Sequence, residues 1–371
     1  MTHSPRPAPL ASPPSDPVLA CPFPIARYPA ITLAHGGGGR LTAQLIDQIF
    51  RPLFGATDDG PAHDGALVSV ESSVPPNRLA FTADAFVVRP IFFPGGDIGQ
   101  LAITGSCNDL AMCGAQPRHL SCTFILEEGL PTADLIRVAA SMAHAARAVG
   151  ARIVCGDTKV VERGKGDGVY ISTSALGTLR RPQTIGPAAI RPGDAIVLSG
   201  DVGRHGMAVL ASREGFAFDS AIESDCAHLW PLIDPLLRDG VDIHCLRDLT
   251  RGGLATALCE LAEQGGHSLT IDERAATVSP PVRDACELLG LDPLYVACEG
   301  RCIAIVPAAQ ADAVLRCWRS LPDGAGATLL GHVDSNQPAS PAENPMVHMR
   351  LLLGGVRPLD RLSGEQLPRI C

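Results

Sequence analysis

The feature that most constrains the fold is a stretch rich in Pro, Gly and Arg near the middle of the chain. It runs from Arg180 to Gly193, and its composition is typical of a linker between domains. On each side, short apolar segments alternate with longer segments whose apolar residues recur at helical spacing. At 371 residues, two domains are the default expectation. We therefore predict one domain over residues 31–180 and a second over residues 190–360.

Both predicted domains mix a few strands with helices. In the first half the strands outnumber two long helices, which favours an α+β fold over a doubly wound sheet. The chain is 46% hydrophobic and 19% charged, so it can bury a sizeable core. Residues 1–30 differ, because they contain nine prolines and little apolar periodicity. We predict that they form a disordered Pro-rich lead.

Composition also excludes several classes of protein. A net charge of −9 argues against general binding to nucleic acid or to an anionic membrane. The 13 cysteines contain no C-x-x-C pair, which argues against a disulfide scaffold or a zinc ribbon and suits a reducing compartment. There is no signal-peptide pattern and no apolar run of about 18 residues. We therefore expect a cytoplasmic protein.

The tail at residues 361–371 ends in a thiol, that of Cys371. Gly364 offers a hinge, Pro368 stiffens the approach, and the extended segment spans roughly 33 Å. Chain ends are usually mobile, and a reachable thiolate is a good nucleophile. We predict a mobile tail that carries a nucleophile to a site elsewhere on the protein. The alternative is a chance cysteine in a cysteine-rich chain, and the tail alone does not decide between the two.

Two polar stretches come after segments that we predict to be strands. Gly156-Asp157-Thr158-Lys159 directly follows Ala151–Cys155, and polar chemistry just after a strand is a common position for a site in α/β proteins. Arg247–Gly253, which is also dense in polar residues and glycine, comes after the predicted strand Val241–His244. We expect the first polar stretch to form a turn and the second to open a helix.

Several polar residues fit poorly in an apolar core and together suggest a nucleotide site. They are Asp64, Asp84, Asn108, Asp109, Asp157, Lys159 and Asp248. Carboxylates suit Mg²⁺, a Lys suits phosphate, and the Gly-rich turn of Gly37 and Gly38 before a helix aims backbone N–H groups at a phosphate. No Walker pattern is present, which excludes a P-loop. Each Asp taken singly also fits a cap or a turn, so spacing alone only suggests an ATP-type site.

Several segments of the chain resemble the HypE family of hydrogenase maturation factors, within the PurM-like (AIR synthase-related) superfamily. The segments are His35–Gly39, Phe92–Gly99, Asn108–Leu110, Glu127–Gly129, Gly156–Val161, Arg247–Gly253, Leu289–Pro293 and Pro368–Cys371. The resemblance extends from about Ile31 to Cys371. It implies a two-domain PurM-like α+β fold, in which the N-terminal domain forms a sheet across a homodimer and the C-terminal domain is an α/β sandwich. It also implies that ATP binds near the dimer interface.

The resemblance implies a reaction on the tail. In this family the terminal cysteine, here Cys371, receives a carbamoyl group from the carbamoyltransferase HypF. The S-carboxamide is then dehydrated with ATP to an S-cyanate, and the cyanide passes to iron on a HypC–HypD complex for the [NiFe] hydrogenase centre. An amide oxygen is a poor leaving group, and phosphorylation makes it a good one.

The resemblance also implies roles for individual residues. Mg²⁺ is held by Asp64, Asp109 and Asp248. The nucleotide is held by Gly37, Gly38, Asp84, Asn108, Asp109, Gly156, Asp157, Thr158 and Lys159. Lys159 and Glu299 are candidates to act beside the reacting group on Cys371. The alternative for Glu299 is a solvated loop carboxylate.

The sequence departs from the family pattern at Cys259 and Cys298, where Asn is frequent. Cys298 adjoins Glu299, so the sequence leaves open whether the contact that an Asn side-chain amide would make at this position exists in this chain. Two other functions remain open as well. One is a different ATP-dependent kinase or ligase of the superfamily, acting on a free small molecule. The other is an ATP-sensing scaffold in which Cys371 only docks a partner.

Overall fold

The structure is a computed structural model that describes residues 39–45, 47, 66–69, 78–216, 221–335, 346–362, 367 and 369–371. The predicted Pro-rich lead, Gly37, Gly38 and Asp64 lie outside these residues.

The described chain contains 14 strands and eight α-helices. The strands are β1 (Ala66–Ser69), β2 (Arg78–Phe86), β3 (Phe92–Phe93), β4 (Gly96–Asp97), β5 (Ala115–Glu127), β6 (Arg152–Val161), β7 (Val169–Leu179), β8 (Asp194–Leu198), β9 (Cys245–Asp248), β10 (Leu269–Asp272), β11 (Cys302–Pro307), β12 (Thr328–Val333), β13 (Val347–Arg350) and β14 (Val356–Leu359). The helices are α1 (Arg40–Leu45), α2 (Ile98–Met112), α3 (Thr132–Val149), α4 (Arg204–Glu214), α5 (Trp230–Arg238), α6 (Gly253–Gly265), α7 (Pro280–Leu289) and α8 (Ala311–Arg319).

The first sheet has the strand order β1-β2-β7-β5-β6. All neighbours in it are antiparallel except β5 and β6, which are parallel. Buried and exposed side chains alternate along β2 and β7, so one face of the sheet packs on helices and the other faces outward. We call this second surface the outer face.

Helix α2 joins the two halves of the molecule. It contacts β2 and β7 of the first sheet and also β9 and α5 of the second half. Nearly all of its side chains are buried, as expected for a helix with protein on every side. Its N-terminus is capped by Asp97, whose carboxylate accepts the N–H groups of Gly99 at 2.7 Å and Gln100 at 3.0 Å.

The second sheet has the strand order β14-β13-β10-β12-β8-β11-β9. Its central strands β8 and β11 are buried along almost their whole length, because helices cover the sheet. The predicted strand Val241–His244 is wrong, since the strand lies at Cys245–Asp248. The reason is the pairing with β11, which joins Cys245 to Ile305 and Asp248 to Cys302. No helix in the described part of the chain is long and apolar enough to cross a membrane.

The predicted turn at Gly156–Lys159 is also wrong, because these residues lie inside β6. A Cβ at Gly156 would lie only 2.1 Å from the carbonyl oxygen of Cys122. Glycine therefore lets the parallel ladder with β5 continue through this point. The neighbouring polar side chains are exposed because β6 is an edge strand of the sheet.

Candidate functional site

Buried carboxyl groups gather where the two halves of the molecule meet. Glu299 is 3% exposed, Asp248 4% and Asp225 5%. Burial raises the pKa of Glu299 well above its usual range, and the charges of Asp248, Asp225 and Asp84 add to this effect. Arg251 acts in the opposite direction. We call Asp84, Asp225, Asp248 and Glu299 the carboxylate cluster.

Asp84 reaches this cluster from β2 in the first sheet. Its Oδ2 accepts a hydrogen bond from Ser106 Oγ on α2 at 2.6 Å, and the Ser106 hydroxyl lies 2.6 Å from that of Thr173 on β7. Burial raises the pKa of Asp84, and the Ser106 hydrogen bond and the charge of Arg251 oppose the rise. A carboxyl group in this setting holds a proton more readily than one in water.

Asn108 and Asp109 lie side by side on α2 but have different surroundings. The Asn108 amide donates to the carbonyl oxygens of Ala227 at 3.0 Å and Glu299 at 3.3 Å, and it accepts from Leu229 N at 2.8 Å. Its polar atoms are thus occupied by backbone groups of the second half. Asp109 Oδ2 accepts from Thr82 Oγ1 at 2.7 Å.

Glu299 is not a solvated loop carboxylate, so that alternative is wrong. Its main-chain N–H donates to Asp225 Oδ1 at 3.2 Å. Glu299 Oε1 and Asp225 Oδ2 are buried without a hydrogen-bond partner, although Arg301 Nε lies 4.0 Å from Asp225 Oδ2. Such atoms are costly unless they meet a proton or a cation. The cluster therefore suits proton transfer.

The structure describes only some of the residues predicted to hold Mg²⁺. Carboxylate oxygens are suitable ligands for Mg²⁺. Asp248 lies in the cluster, Asp109 lies beside Thr82, and Asp64 falls outside the described residues. Within the described ranges, no three His, Cys, Asp or Glu side chains are arranged to hold a metal ion. The Mg²⁺ site thus stays a prediction.

Lys159 and Asp157 lie apart from the carboxylate cluster. Strand register aligns Asp84 with Thr173, Thr173 with Cys122, and Cys122 with Gly156. Aligned residues point to the same face, so Asp157 and Lys159 project from the outer face and Gly156 and Thr158 share the face of Asp84. Three strand spacings, roughly 14 Å, separate Asp84 from Gly156.

Asp157 and Lys159 pair with each other on this exposed edge. Lys159 Nζ lies 2.6 Å from Asp157 Oδ2, and both side chains are more than half exposed. The hydrogen bond from Lys159 and that from Thr158 N lower the pKa of Asp157. In the single chain, this pair therefore does not join the carboxylate cluster.

The tail is docked inward, next to the end of β2. A main-chain oxygen of Cys371 accepts a hydrogen bond from Val87 N at 3.1 Å, and the carbonyl oxygen of Arg369 accepts one from Arg89 N at 3.3 Å. Leu367 and Ile370 are buried, and Cys371 is partly buried against the same core. Val87 follows Asp84 by three residues, or about 10 Å of strand. The docked end of the tail therefore lies along the same segment of the first sheet as Asp84, and Cys371 is not sealed in the core.

Sequence reasoning missed three residues of this region. Arg251 belongs to a polar stretch that the sequence did single out, but no role followed from it. Asp225 and His205 carried no signal, because their importance depends on what packs against them. His205 is fully buried and contacts the tail through the carbonyl oxygen of Ile370 at 2.6 Å.

The chain matches known protein families and characterised relatives along most of its length. Residues 62–179 match the family described as AIR synthase related protein, N-terminal domain, and residues 191–338 match the corresponding C-terminal domain. A relative from Cupriavidus necator, named carbamoyl dehydratase HypE, is 49% identical over 341 residues, which cover 92% of this chain and 95% of the relative. The chain belongs to the HypE family.

Solved structures of HypE proteins have the same fold. A HypE–HypF complex matches 86% of this chain and 99% of its own chain, with a TM-score of 0.78 and 38% identity. HypE in complex with ATP matches 92% of this chain and 100% of its own, with a TM-score of 0.76 and 44% identity. The PurM-like α+β fold predicted from sequence is therefore confirmed, and the chain is a HypE-family enzyme.

Proposed function

We propose that this chain carries out ATP-dependent dehydration of an S-carboxamide on Cys371 to an S-cyanate, which supplies the cyanide ligand for the iron of [NiFe] hydrogenase. Its family's name, carbamoyl dehydratase, supports the reaction type. The observation that carries the proposal is the inward-docked tail, which holds the main chain of Cys371 against Val87, three residues beyond Asp84. On this proposal, a substrate attached to the sulfur reaches the buried carboxyl groups, which can exchange protons.

The proposed chemistry balances in two steps. The carboxamide oxygen takes the terminal phosphoryl group of ATP and the nitrogen loses one proton, which gives an S-bound O-phospho imidate and ADP. The C–O bond then breaks, phosphate leaves with its electron pair, and loss of the second N–H proton completes the nitrile. Glu299 is our candidate to take a proton from nitrogen, because its raised pKa makes it a stronger base than an exposed carboxylate.

The nucleotide and the metal ion would be held by residues from several separate segments of the chain. For the nucleotide we propose Gly37, Gly38, Asp84, Asn108, Asp109, Gly156, Asp157, Thr158 and Lys159. For Mg²⁺ we propose Asp64, Asp109 and Asp248, and the ion would offset charge on the phosphates. A solved HypE that binds ATP supports the nucleotide part of this proposal.

A homodimer would bring Lys159 into an interface. The outer face of the first domain, which we place at residues 31–180, exposes Phe81, Ile125 and Leu176, each about two-fifths exposed. Exposed apolar side chains grouped on one sheet face, next to an unpaired edge strand, are typical of an association surface. We propose that two copies pair through this face and that Lys159 acts there beside the reacting group.

The proposed partners follow the order of the reaction. We propose that HypF delivers the carbamoyl group, which a solved HypE–HypF complex supports, and that a HypC–HypD complex receives the cyanide. No disulfide links the twelve cysteines in the described part of the chain, which suits the reducing environment of the cytoplasm.

Intact mass spectrometry tests the proposal directly. The full chain is incubated with HypF, carbamoyl phosphate and ATP, and the modified residue is located by peptide mapping. We expect a gain of one carbamoyl group at Cys371, followed by loss of one water when ATP is present. Cys371→Ala should gain nothing while still binding ATP.

A contrary result would be ATP consumption by Cys371→Ala on a free small molecule. That outcome would favour the superfamily kinase or ligase. A carbamoylated chain that never loses water would favour the scaffold.

A further inference from the structure

The turn between β6 and β7 has an arrangement that the proposed chemistry does not require. The Glu127 carboxylate accepts backbone N–H groups from Gly164 at 2.5 Å and Gly168 at 3.0 Å. These hydrogen bonds lower the pKa of Glu127. Both glycines have a φ of +79°, a conformation that L side chains rarely adopt. Glu127 thus holds this turn in one shape, with Asp167 at a defined position.

Asp167 in this turn holds two arginines, and one of them belongs to the tail. Arg89 Nη1 donates to both of its carboxylate oxygens at 2.8 and 2.9 Å, and Arg369 Nη1 donates to Oδ2 at 2.5 Å. Partial burial works against ionisation, but the hydrogen bonds from the two arginines outweigh it and lower the pKa of Asp167. Charge-assisted hydrogen bonds of this kind are stronger than neutral ones.

Arg369 makes further contacts that orient the tail. Its Nε donates to the carbonyl oxygen of Val87 at 3.1 Å, and its guanidinium carbon lies 5.9 Å from the centre of the Tyr170 ring. Its backbone has a φ of +55°, and it alone among the non-glycine residues described has a positive φ. Such a conformation persists where the surroundings hold it, so the tail is seated by specific contacts.

His205 holds the tail from the other side. The carbonyl oxygen of Ile370 can only accept, so His205 Nε2 carries the ring hydrogen and donates to it at 2.6 Å. In the neutral ring, Nδ1 then accepts from Ser224 Oγ at 2.8 Å, and Ser224 Oγ itself accepts from Cys226 N at 3.0 Å. Burial lowers the pKa of His205, so the ring stays neutral near pH 7.

We propose that Asp167 and His205 are positioning residues that seat Cys371 for dehydration. The contacts of the tail with Asp167 and His205 are present in the structure whatever reaction the protein carries out. That they serve dehydration rests on the proposed function. Weakening the contacts should then affect the two half-reactions in opposite directions. Cys371 is partly buried where the tail is docked, so a carbamoyl donor held by another protein reaches its thiol more easily when these contacts are weaker. Dehydration on this proposal uses the docked tail.

The first experiment measures thiol accessibility without nucleotide or partner. The full chain is treated with iodoacetamide, and the labelling rate of Cys371 is followed by peptide mass. We expect Asp167→Asn and Arg369→Gln to label about tenfold faster than wild type, since each removes the charge-assisted contact between Asp167 and Arg369. Asp167→Glu should restore slow labelling. Asp134→Asn is the matched control, because its ion pair with Arg137 is exposed to about the same extent as the Arg89–Asp167 pair and includes no tail residue.

The second experiment separates positioning from mere stability. HypF-dependent carbamoylation and single-turnover dehydration after ATP addition are timed on each variant. We expect Asp167→Asn to be dehydrated about tenfold more slowly and carbamoylated at least as fast as wild type. His205→Gln should behave in the same way, and Arg369→Gln tests the same seat from the tail if the buried His205 variant fails to fold.

The outcomes of these experiments separate the seating role of Asp167 and His205 from the proposed dehydration reaction. Equal labelling rates in wild type and in both charge variants would overturn the seating role. A parallel loss of both half-reactions would show a structural role only and would also overturn it. If labelling rises as expected but even the wild type never loses water, the proposed function fails and the seating contacts stand.

Discussion

The side-chain amide of Asn108 donates to the main-chain carbonyl oxygen of Glu299 at 3.3 Å, although the two residues lie 191 positions apart. This hydrogen bond ties α2 of the first half to the loop that carries a buried carboxyl group of the second half. The same amide also binds the backbone of Ala227 and Leu229. Asn108 therefore couples the position of Glu299 to the first sheet.

Asn108→Ala should destabilise the fold through this junction. The substitution removes three hydrogen bonds and leaves the buried Leu229 N–H without its acceptor. We expect a loss of about 2–3 kcal/mol in the free energy of unfolding, measured by urea denaturation. Gln116→Ala is the control, because Gln116 is half-buried in β5, away from the junction. Equal stability of the two variants would contradict the coupling.

Glu299→Gln should make stability less dependent on pH. The folded pKa of Glu299 lies above its ordinary value of 4.5, so its favourable contribution is complete below that pH and is lost as the pH rises through the folded pKa. Within this window the wild type loses about 1.4 kcal/mol per pH unit from this group, and the variant does not. Urea denaturation at pH 5 and pH 8 should show that the stability of the Glu299 variant rises relative to that of the wild type at pH 8, whereas that of exposed Glu128→Gln does not.

The rate of dehydration by the Glu299 variant should fall by a factor of about 10²–10⁴.

Gly156→Ala should disrupt the edge of the first sheet. The added Cβ would lie 2.1 Å from the Cys122 carbonyl oxygen, so β5 and β6 must separate. We expect a loss of roughly 3 kcal/mol or more, together with faster amide hydrogen exchange along β6. Gly326→Ala is the control, because its added Cβ meets only an ordinary contact at 3.6 Å. Unchanged exchange in Gly156→Ala would count against the strand assignment.

Leu176→Glu should weaken the proposed homodimer. Leu176 is 38% exposed on the outer face, and a buried charge in an interface is costly. We expect a dimer of the wild-type chain in sedimentation equilibrium and a monomer, or at least a tenfold weaker dimer, of the variant. Leu353→Glu is the control, because Leu353 is fully exposed and lies far from the first sheet in the chain. A monomeric wild type would refute the dimer outright.

How far the sequence predicts this molecule is clearest at two pairs of residues. The sequence marks Asp84 and Asp248 as polar residues that fit poorly in an apolar core, and both approach Glu299 closely enough for their charges to interact. It groups Asp157 and Lys159 with them on the same ground. Strand register places this second pair on the opposite face of the sheet.

By itself, the sequence determined the two-domain α+β plan, the polar positions that need explanation and the cysteine on the tail. These follow from periodicity, composition and motif, which are properties of neighbours in the chain. Tertiary structure decided the burial of Glu299, the face on which Lys159 lies, and the seat formed by Asp167 and His205. Each of those depends on atoms brought together from distant segments, because burial, strand register and hydrogen-bond partners are set by packing.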